Sequence, residues 1–348
     1  MRLAMKVMPE PVRRQMLIYA ATILLLMPPC ATLVSGWAWP LDMIASLSSQ
    51  LAILAALYAM AMVLMRRWVH VGVAIIAVGL HVMPWDSPRI ERATGRDGLT
   101  VTSFLQFNVG GFDRQPQRLV KVLLQHDVDV IVLIEGGRQM LEAIRQTPTL
   151  VDRYPGTSWP RPQDPRGWCL VLSRWPMRHP GDAPNEATAH LPVAWRADLR
   201  VVQHPEHPFL LAVAHPPASR DPWRWDDGNR LVRNLVKQIE EARRGIDLPV
   251  IVAADLNATP TSWRSVHLCR AARLSRGSPR LTLSGTYPSG WPAPLRFPID
   301  DFWMDRRVHL VRWCTVGGTE SDHLAVRADA ILPPSVKATL PDRRGPIH

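Results

Sequence analysis

Along the chain, apolar and polar positions follow two different rhythms. Three long apolar stretches, about 16–37, 43–65 and 69–83, fill the first quarter. Each approaches the ~20 residues that a helix needs to cross a hydrocarbon core. Trp37, Trp39, Trp68 and Trp85 stand at their edges, where amphipathic indoles favour the membrane–water interface. The pattern predicts three transmembrane helices, followed by a polar linker over 86–100. From 101 onward, short apolar runs with frequent Pro and Gly punctuation replace the long ones. Strands are predicted over 100–107, 128–134, 168–172, 209–214 and 249–254. Helical periodicity marks 117–125, with Leu119, Val122 and Leu123 on one face, and a longer helix ending at 244 with Leu231, Leu235, Val236 and Ile239 inward. Asp226 or Asp227 is the expected cap of that helix. Strands interleaved with helices over 101–331 fit one α/β domain, and the Pro- and Arg-rich stretch 332–348 reads as a loose tail.

The cations around the apolar stretches predict an orientation. Arg2, Lys6, Arg13 and Arg14 precede the first stretch, Arg66 and Arg67 follow the second, and 40–42 carries none. The positive-inside rule then places the N-terminus and the 66–67 loop in the cytoplasm and the domain outside an inner, cell membrane. Arg89, Arg92 and Arg96 oppose that assignment. A cleavable signal peptide explains the first stretch equally well but not the other two.

Composition changes this picture little. The net charge is +11, which suits a polyanionic partner or an anionic membrane surface, although the cations are scattered rather than clustered. Cys30, Cys169, Cys269 and Cys314 form no CxxC pair and no zinc-ligand spacing, which argues against structural zinc and allows at most one disulfide in the domain.

Candidate chemistry lies where the apolar runs stop. Asn108, Glu135, His215 and Asp255 each stand at the C-terminal end of a predicted strand, and buried strands that stop at polar groups deliver them to a common sheet rim. The order Phe107-Asn108-Val109, Val130 to Glu135, Leu172-Ser173-Arg174-Trp175-Pro176, Ala214-His215-Pro216-Pro217, Ala254-Asp255-Leu256-Asn257-Ala258-Thr259-Pro260, Pro298-Ile299-Asp300 and Ser321-Asp322-His323 resembles the endonuclease/exonuclease/phosphatase family. The resemblance covers about 101–331 and implies a four-layered α/β sandwich, two packed β-sheets flanked by helices.

It further implies a hydrolase that attacks phosphate esters with water and a divalent cation, Mg²⁺ or Mn²⁺. Glu135 is the expected metal ligand, with Asn108 and Asp322 completing the shell, because hard oxygen donors suit these ions. By the same resemblance Asp255 deprotonates the attacking water, Asn257 fixes water or phosphate, His323 binds the phosphoryl oxygen, Asp300 orients His323, and His215 assists the leaving group. An extended stretch would point Asn257 the same way as Asp255. Arg174 is either a structural ion-pair partner or a phosphate contact, and Thr286-Tyr287-Pro288 is expected to shape the cleft. Two positions depart from the family pattern: Ile134 replaces a glutamine, and Asp301 adds negative charge beside Asp300.

The absence of GxxxxGK[ST], HExxH, GxSxG and GxGxxG patterns points away from nucleotide-driven, zinc-proteolytic, serine-hydrolytic and dinucleotide chemistry. Nucleic acid and phospholipid or inositol-phosphate head groups stay open as the phosphate-ester substrate. A non-catalytic membrane-bound binding module is the alternative of a different class.

Overall fold

In the structure, a computed structural model, residues 9–82, 100–110, 115–157, 168–178, 197–278, 284–317 and 321–334 are described. Most of the expected linker, nearly all of the expected tail, and Arg2, Lys6, Arg89, Arg92 and Arg96 lie outside them.

The apolar stretches form helices α1 (Glu10–Val34), α2 (Trp39–Ser46), α3 (Ser48–Leu64) and α4 (Trp68–Val82). The expected loop at 40–42 is instead the first turn of α2. Pro40 occupies an early helix position, where its missing N–H is harmless. The break falls later, at Leu47, between two serines whose hydroxyls take backbone carbonyls: Ser46 Oγ donates to Asp42 O and Ser48 Oγ to Ala45 O, both at 2.8 Å. Among the described residues, no single helix is long and apolar enough to cross a membrane. The pair α2 and α3 meets that requirement together, bent by 57°, while the apolar part of α4 is shorter. Leu25, Ala55 and Ala77 pack where α1, α3 and α4 meet, and the Thr22 and Tyr58 hydroxyls bond at 2.7 Å.

Beyond them come β1 (Val101–Asn108), α5 (Pro116–Gln125), β2 (Val130–Gly136), α6 (Arg138–Arg145), α7 (Pro148–Arg153), β3 (Trp168–Ser173), β4 (Met177–Arg178), β5 (Ala197–Val202), β6 (Phe209–Ala214), α8 (Pro222–Gly245), β7 (Val250–Asp255), α9 (Trp263–Ala271), β8 (Leu274–Arg276), β9 (Asp300–Asp305), β10 (His309–Val316) and β11 (Ala325–Ile331). They build two mixed sheets, in the orders β10-β11-β1-β2-β3 and β4-β5-β6-β7-β9-β8. β1 and β2 run parallel, as do β6 and β7.

Period-two alternation explains the layering. Phe209, Leu211 and Val213 of β6, with Ile251 and Ala253 of β7, face Phe104, Val130 and Val132 of the other sheet. Leu210, Ala212 and Ala214 face α8 instead, meeting Leu231, Leu235 and Ile239. Leu105 and Phe107 of β1 cover the opposite face with α5, α6 and α7. Helix, sheet, sheet, helix is the expected four-layered sandwich.

Two differences from expectation have local causes. α8 starts before Asp226: Asp221 caps it, accepting the Arg224 N–H at 2.8 Å with Pro222 in the first turn. Asp226 and Asp227 instead pair with Arg230 at 3.3 and 2.6 Å. Asp301 adds no unpaired charge at the site, because alternation turns it away from Asp300, and it meets Arg276, Ser278 and Trp313. Ile134 sits fully buried between the sheets, an apolar contact where the family pattern has glutamine. Arg174 is a structural partner, bonded to Asp127 and lying 3.3 Å from Asp129. The four cysteines are free thiols.

Candidate active site

The alternation that fills the core also gathers the polar groups. Counting on from Phe104, the inward positions of β1 are Gln106 and Asn108; those of β7 end at Asp255 and those of β9 begin at Asp300; and the position after β6 is His215. Apolar inward residues therefore give way to polar ones at a single rim. Asp255 and Asp300 are direct cross-strand partners.

Glu135 breaks the alternation. A regular strand would aim it away from Ile134's side, toward the helices. Its φ is 60°, and the β2–β3 register shifts between Leu133 and Gly136. This irregularity re-aims the carboxylate into the cleft, where Oε1 lies 3.2 Å from Asn108 Nδ2 and 3.3 Å from His215 Nε2. Asn257 also arrives by a turn rather than by the extended chain that was expected. At φ 48°, in the left-handed region that asparagine tolerates, it donates its backbone N–H to Asp255 Oδ1 at 2.8 Å. Its side-chain amide lies 3.1 Å from Pro216 O and 3.4 Å from His215 Nε2.

At the centre, His323 Nδ1 bonds Asp300 Oδ2 at 2.8 Å and lies 3.7 Å from Asp255 Oδ2. Asn108 Nδ2 donates to Asp255 Oδ2 at 2.9 Å. Sequence reasoning missed three supporting groups. Gln106 donates to Asp300 Oδ1 at 3.0 Å. Ser321 Oγ donates to Asn108 O and accepts the His323 N–H, at 2.8 and 3.0 Å. Gly110 donates its N–H to Asn108 Oδ1 at 3.0 Å. Gln106 was open to discovery, since it shares the inward parity of Asn108. Tyr287, expected to shape the cleft, lies against His323 with ring centroids 4.8 Å apart, and Thr286 Oγ1 is 3.4 Å from the Asp300 N–H.

Burial and charge set the protonation states. Burial, then the neighbouring Asp300 charge, pushes Asp255 up to about 6, against the pull of His323, His215 and Asn108. For Asp300, burial favours the neutral acid, but the charge and hydrogen bond of His323, with Thr286 and Gln106, outweigh it and hold the carboxyl below its usual range. For His323, burial opposes ionisation, yet Asp300, Asp255 and Asp322 together raise it to about 10. The pair is an imidazolium bonded to a carboxylate.

Two groupings of donors suit a cation. Asp255, Asp300 and His323 place ligand atoms within 4.8 Å of one another, but the His323 nitrogen on that side is already bonded to Asp300. Glu135 and Asn108 offer the better fit: a Cβ on Gly110 would stand 2.7 Å from Glu135 Oε2 and 3.3 Å from Asn108 Oδ1. The glycine thus leaves a small space flanked by a carboxylate and an amide oxygen, donors that suit Mg²⁺ or Mn²⁺. The Asp322 side chain is exposed between the inward Ser321 and His323, and its backbone carbonyl accepts the Ser289 N–H at 2.7 Å.

The model of the Endonuclease/Exonuclease/phosphatase family matches residues 105–323. The chain belongs to the endonuclease/exonuclease/phosphatase family. Solved structures agree in fold. The human Nocturnin catalytic domain, with a bound sulfate anion, is 15% identical at TM-score 0.50, over 67% of this chain and 95% of that one. A family protein from Bacteroides thetaiotaomicron is 13% identical at TM-score 0.50, over 67% and 96%. A functionally unknown conserved protein from Enterococcus faecalis is 12% identical at TM-score 0.50, over 67% and 100%. No curated protein matches the chain in sequence. The family is named for hydrolases of phosphate esters, and the site on the sheet rim lies within its matched residues.

Proposed function

We propose that the protein is a membrane-anchored phosphodiesterase or nuclease that hydrolyses phosphate esters by attack of water, with Mg²⁺ or Mn²⁺ held by Glu135 and Asn108 and with Asp322 on the same rim. The observation that carries this reading is the convergence of Asp255, Asp300, His323, Asn257, His215 and Glu135 at one rim, from five different strands or the loops that follow them. A binding module has no need of a carboxylate raised to about 6 beside an imidazolium.

Asp255 is ionised at neutral pH yet close enough to its transition to accept a proton from water. Asn257 and His215 border the same space, Asn257 holding water or phosphate and His215 assisting the leaving oxygen. The His323 imidazolium, fixed by Asp300, offsets charge on the phosphoryl oxygens in a site where fixed groups act strongly. A bound divalent cation supplies further neutralisation of the phosphate and polarises it for attack.

Anchoring rests on the apolar helices. Leu17, Ile23, Leu57, Met60 and Ile76 stand exposed along α1, α3 and α4, a surface that suits lipid rather than water. The start of α3 lies at the catalytic domain, where Gln50 Nε2 is 3.5 Å from Arg296 O. Arg66 and Arg67 follow its other end, some 25 Å away by helical rise. These cations at the pole remote from the domain fit an extracytoplasmic site under the positive-inside rule.

A second reading, a phospholipid head-group ester as substrate, draws on one loop. Trp291 and Leu295 are about half exposed between Tyr287, which lies against His323, and Arg296, whose carbonyl faces Gln50. The test is turnover of bis(4-nitrophenyl) phosphate, DNA, RNA and phospholipid vesicles by the full chain, with Mg²⁺ and with excess EDTA. Turnover that EDTA abolishes is expected; no turnover of any of them rejects the hydrolase.

A further inference from the structure

Arg264, in the first turn of α9, is fully buried and, among the described residues, bonds no carboxylate. Its donors go almost entirely to backbone carbonyls. Nη1 donates to Pro217 O at 2.7 Å and Leu256 O at 3.1 Å; Nη2 to Arg224 O at 3.2 Å and Trp225 O at 3.3 Å; Nε to Asn229 Oδ1 at 3.1 Å. Leu256 lies between Asp255 and Asn257, and Pro217 is two residues beyond His215. One planar, five-donor group therefore ties together the loops that carry three of the site residues.

Two independent observations show that the clamp is built for. Gly228 lies inside α8, where glycine is less favourable than alanine. A Cβ there would meet Arg264 Nη2 at 2.1 Å and Cζ at 2.3 Å, so the helix keeps the glycine that gives the guanidinium its room. Asp42, on α2 and 1% exposed, closes the other side. Its Oδ1 accepts the N–H of Trp263, the residue before Arg264, at 2.7 Å. Its Oδ2 accepts the indole N–H of Trp225, whose carbonyl Arg264 holds, at 2.8 Å. Neighbouring bonds follow the same path: Trp39 Nε1 to Ser219 O at 2.8 Å, Thr261 Oγ1 to Ala45 O at 2.6 Å, and Ser46 Oγ with Ser262 Oγ at 2.7 Å.

We propose that Arg264 is a positioning residue for the hydrolytic site and that Asp42 is the other half of its clamp, so that docking of the N-terminal helices sets the loops bearing His215, Asp255 and Asn257. This rests on the hydrolase reading above. Burial lowers the Arg264 pKa to about 10, with Asp42 and Asp255 opposing, and the group is a cation at neutral pH. Charge alone is not its role. Lysine has three donors on a flexible stem and cannot hold five acceptors on two sides.

The experiment uses the full chain in detergent, with bis(4-nitrophenyl) phosphate and Mg²⁺, measuring kcat, KM and thermal unfolding for wild type, Arg264→Lys, Gly228→Ala, Asp42→Ala, Asp42→Asn and the Asp42→Ala/Arg264→Lys double variant. Arg264→Lys and Gly228→Ala should each lower kcat about 10-fold or more with KM nearly unchanged, since small displacements of catalytic groups act on the chemical step. Asp42→Ala should lower kcat, Asp42→Asn less so because it keeps one acceptor, and the double variant should be no worse than the worse single. A folded Arg264→Lys or Gly228→Ala enzyme with kcat within about twofold of wild type overturns the proposal, as does an unchanged kcat in Asp42→Ala or a double variant whose losses multiply. Where Arg264→Lys does not fold, Gly228→Ala decides, because alanine favours the helix itself. A wild type that turns over neither bis(4-nitrophenyl) phosphate nor DNA, RNA or phospholipid vesicles overturns the hydrolase reading instead, so the two failures are distinct.

Discussion

His323 Nδ1 lies 2.8 Å from Asp300 Oδ2, and both side chains are almost sealed from solvent. The bond is charge-assisted, and in a low-dielectric pocket such a bond fixes the ring as well as its charge. The two residues therefore act as one group. His323→Ala and Asp300→Ala should each lower kcat by about 10² or more, and the double variant should be no worse than the worse single. Circular dichroism confirms folding, and purely multiplicative losses would reject the pairing.

The pH dependence follows from the same charges. Asp255 must have lost its proton to act as base, so activity should rise as pH increases through about 6. His323 must keep its proton, so activity should fall as pH increases through about 10. A divalent cation at Glu135 adds positive charge near Asp255 and moves the acid limb lower, never higher. In Asp300→Ala the imidazolium loses its partner, and the basic limb should move to lower pH. Asp255→Asn keeps the size and most hydrogen bonds but removes the base, so kcat should fall about 10² or more with little change in KM. A kcat/KM profile from pH 4 to 11 checks both limbs; near-normal kcat in Asp255→Asn sinks the role of Asp255.

How much of this was legible in the sequence depends on how local each signal is. The runs ending at Asp255 and before His215 announced buried strands that deliver polar groups to a rim, because a parallel strand buried on both faces reads as an unbroken apolar run, and the run ending at Asn108 did so despite Ser103 and Gln106. β5 and β10 were not marked, since edge or half-covered strands such as Ala197–Val202 and His309–Val316 mix polar residues such as Arg200 and Arg312 into the pattern. The aim of Glu135 was beyond periodicity altogether: alternation alone points it the wrong way, and only the irregularity at φ 60° corrects it. Asn257 shows the converse, where the expected extended geometry was wrong but the side chain still arrives, through a left-handed turn. Asp42 gave no sign of contact with Trp225 and Trp263, because partners about 180 and 220 residues apart leave no local trace.

Topology gives a third expectation. If the helices anchor the chain with Arg66 and Arg67 in the cytoplasm, alkaline phosphatase fused after His348 should be active and a cytoplasmic-type reporter silent. The reverse outcome rejects both the orientation and the placement of the site outside.

The last expectation concerns Gly110 and Glu135 and separates cation binding from folding. Glu135 stands at the rim with its side chain 43% exposed, so Glu135→Ala should change stability by under about 1 kcal/mol while abolishing Mg²⁺- or Mn²⁺-dependent turnover. Gly110→Ala probes the same place without removing a donor. Its Cβ would stand 2.7 Å from Glu135 Oε2 and 3.3 Å from Asn108 Oδ1, so the Glu135 carboxylate must swing aside and Asn108 Oδ1 give by a few tenths of an ångström, which takes both donors out of place for a shared cation. Calorimetric titration of Mn²⁺ should therefore show weaker binding in Gly110→Ala and none at this site in Glu135→Ala, with thermal unfolding of the metal-free proteins near wild type. Isosteric Glu135→Gln keeps the shape but drops the charge, and hard divalent ions bind neutral amides far less well than carboxylates, so its affinity should also fall. Unaltered Mn²⁺ binding in both Glu135→Ala and Gly110→Ala would move the cation to Asp255, Asp300 and His323, and Asp300→Ala would then be the variant that loses it.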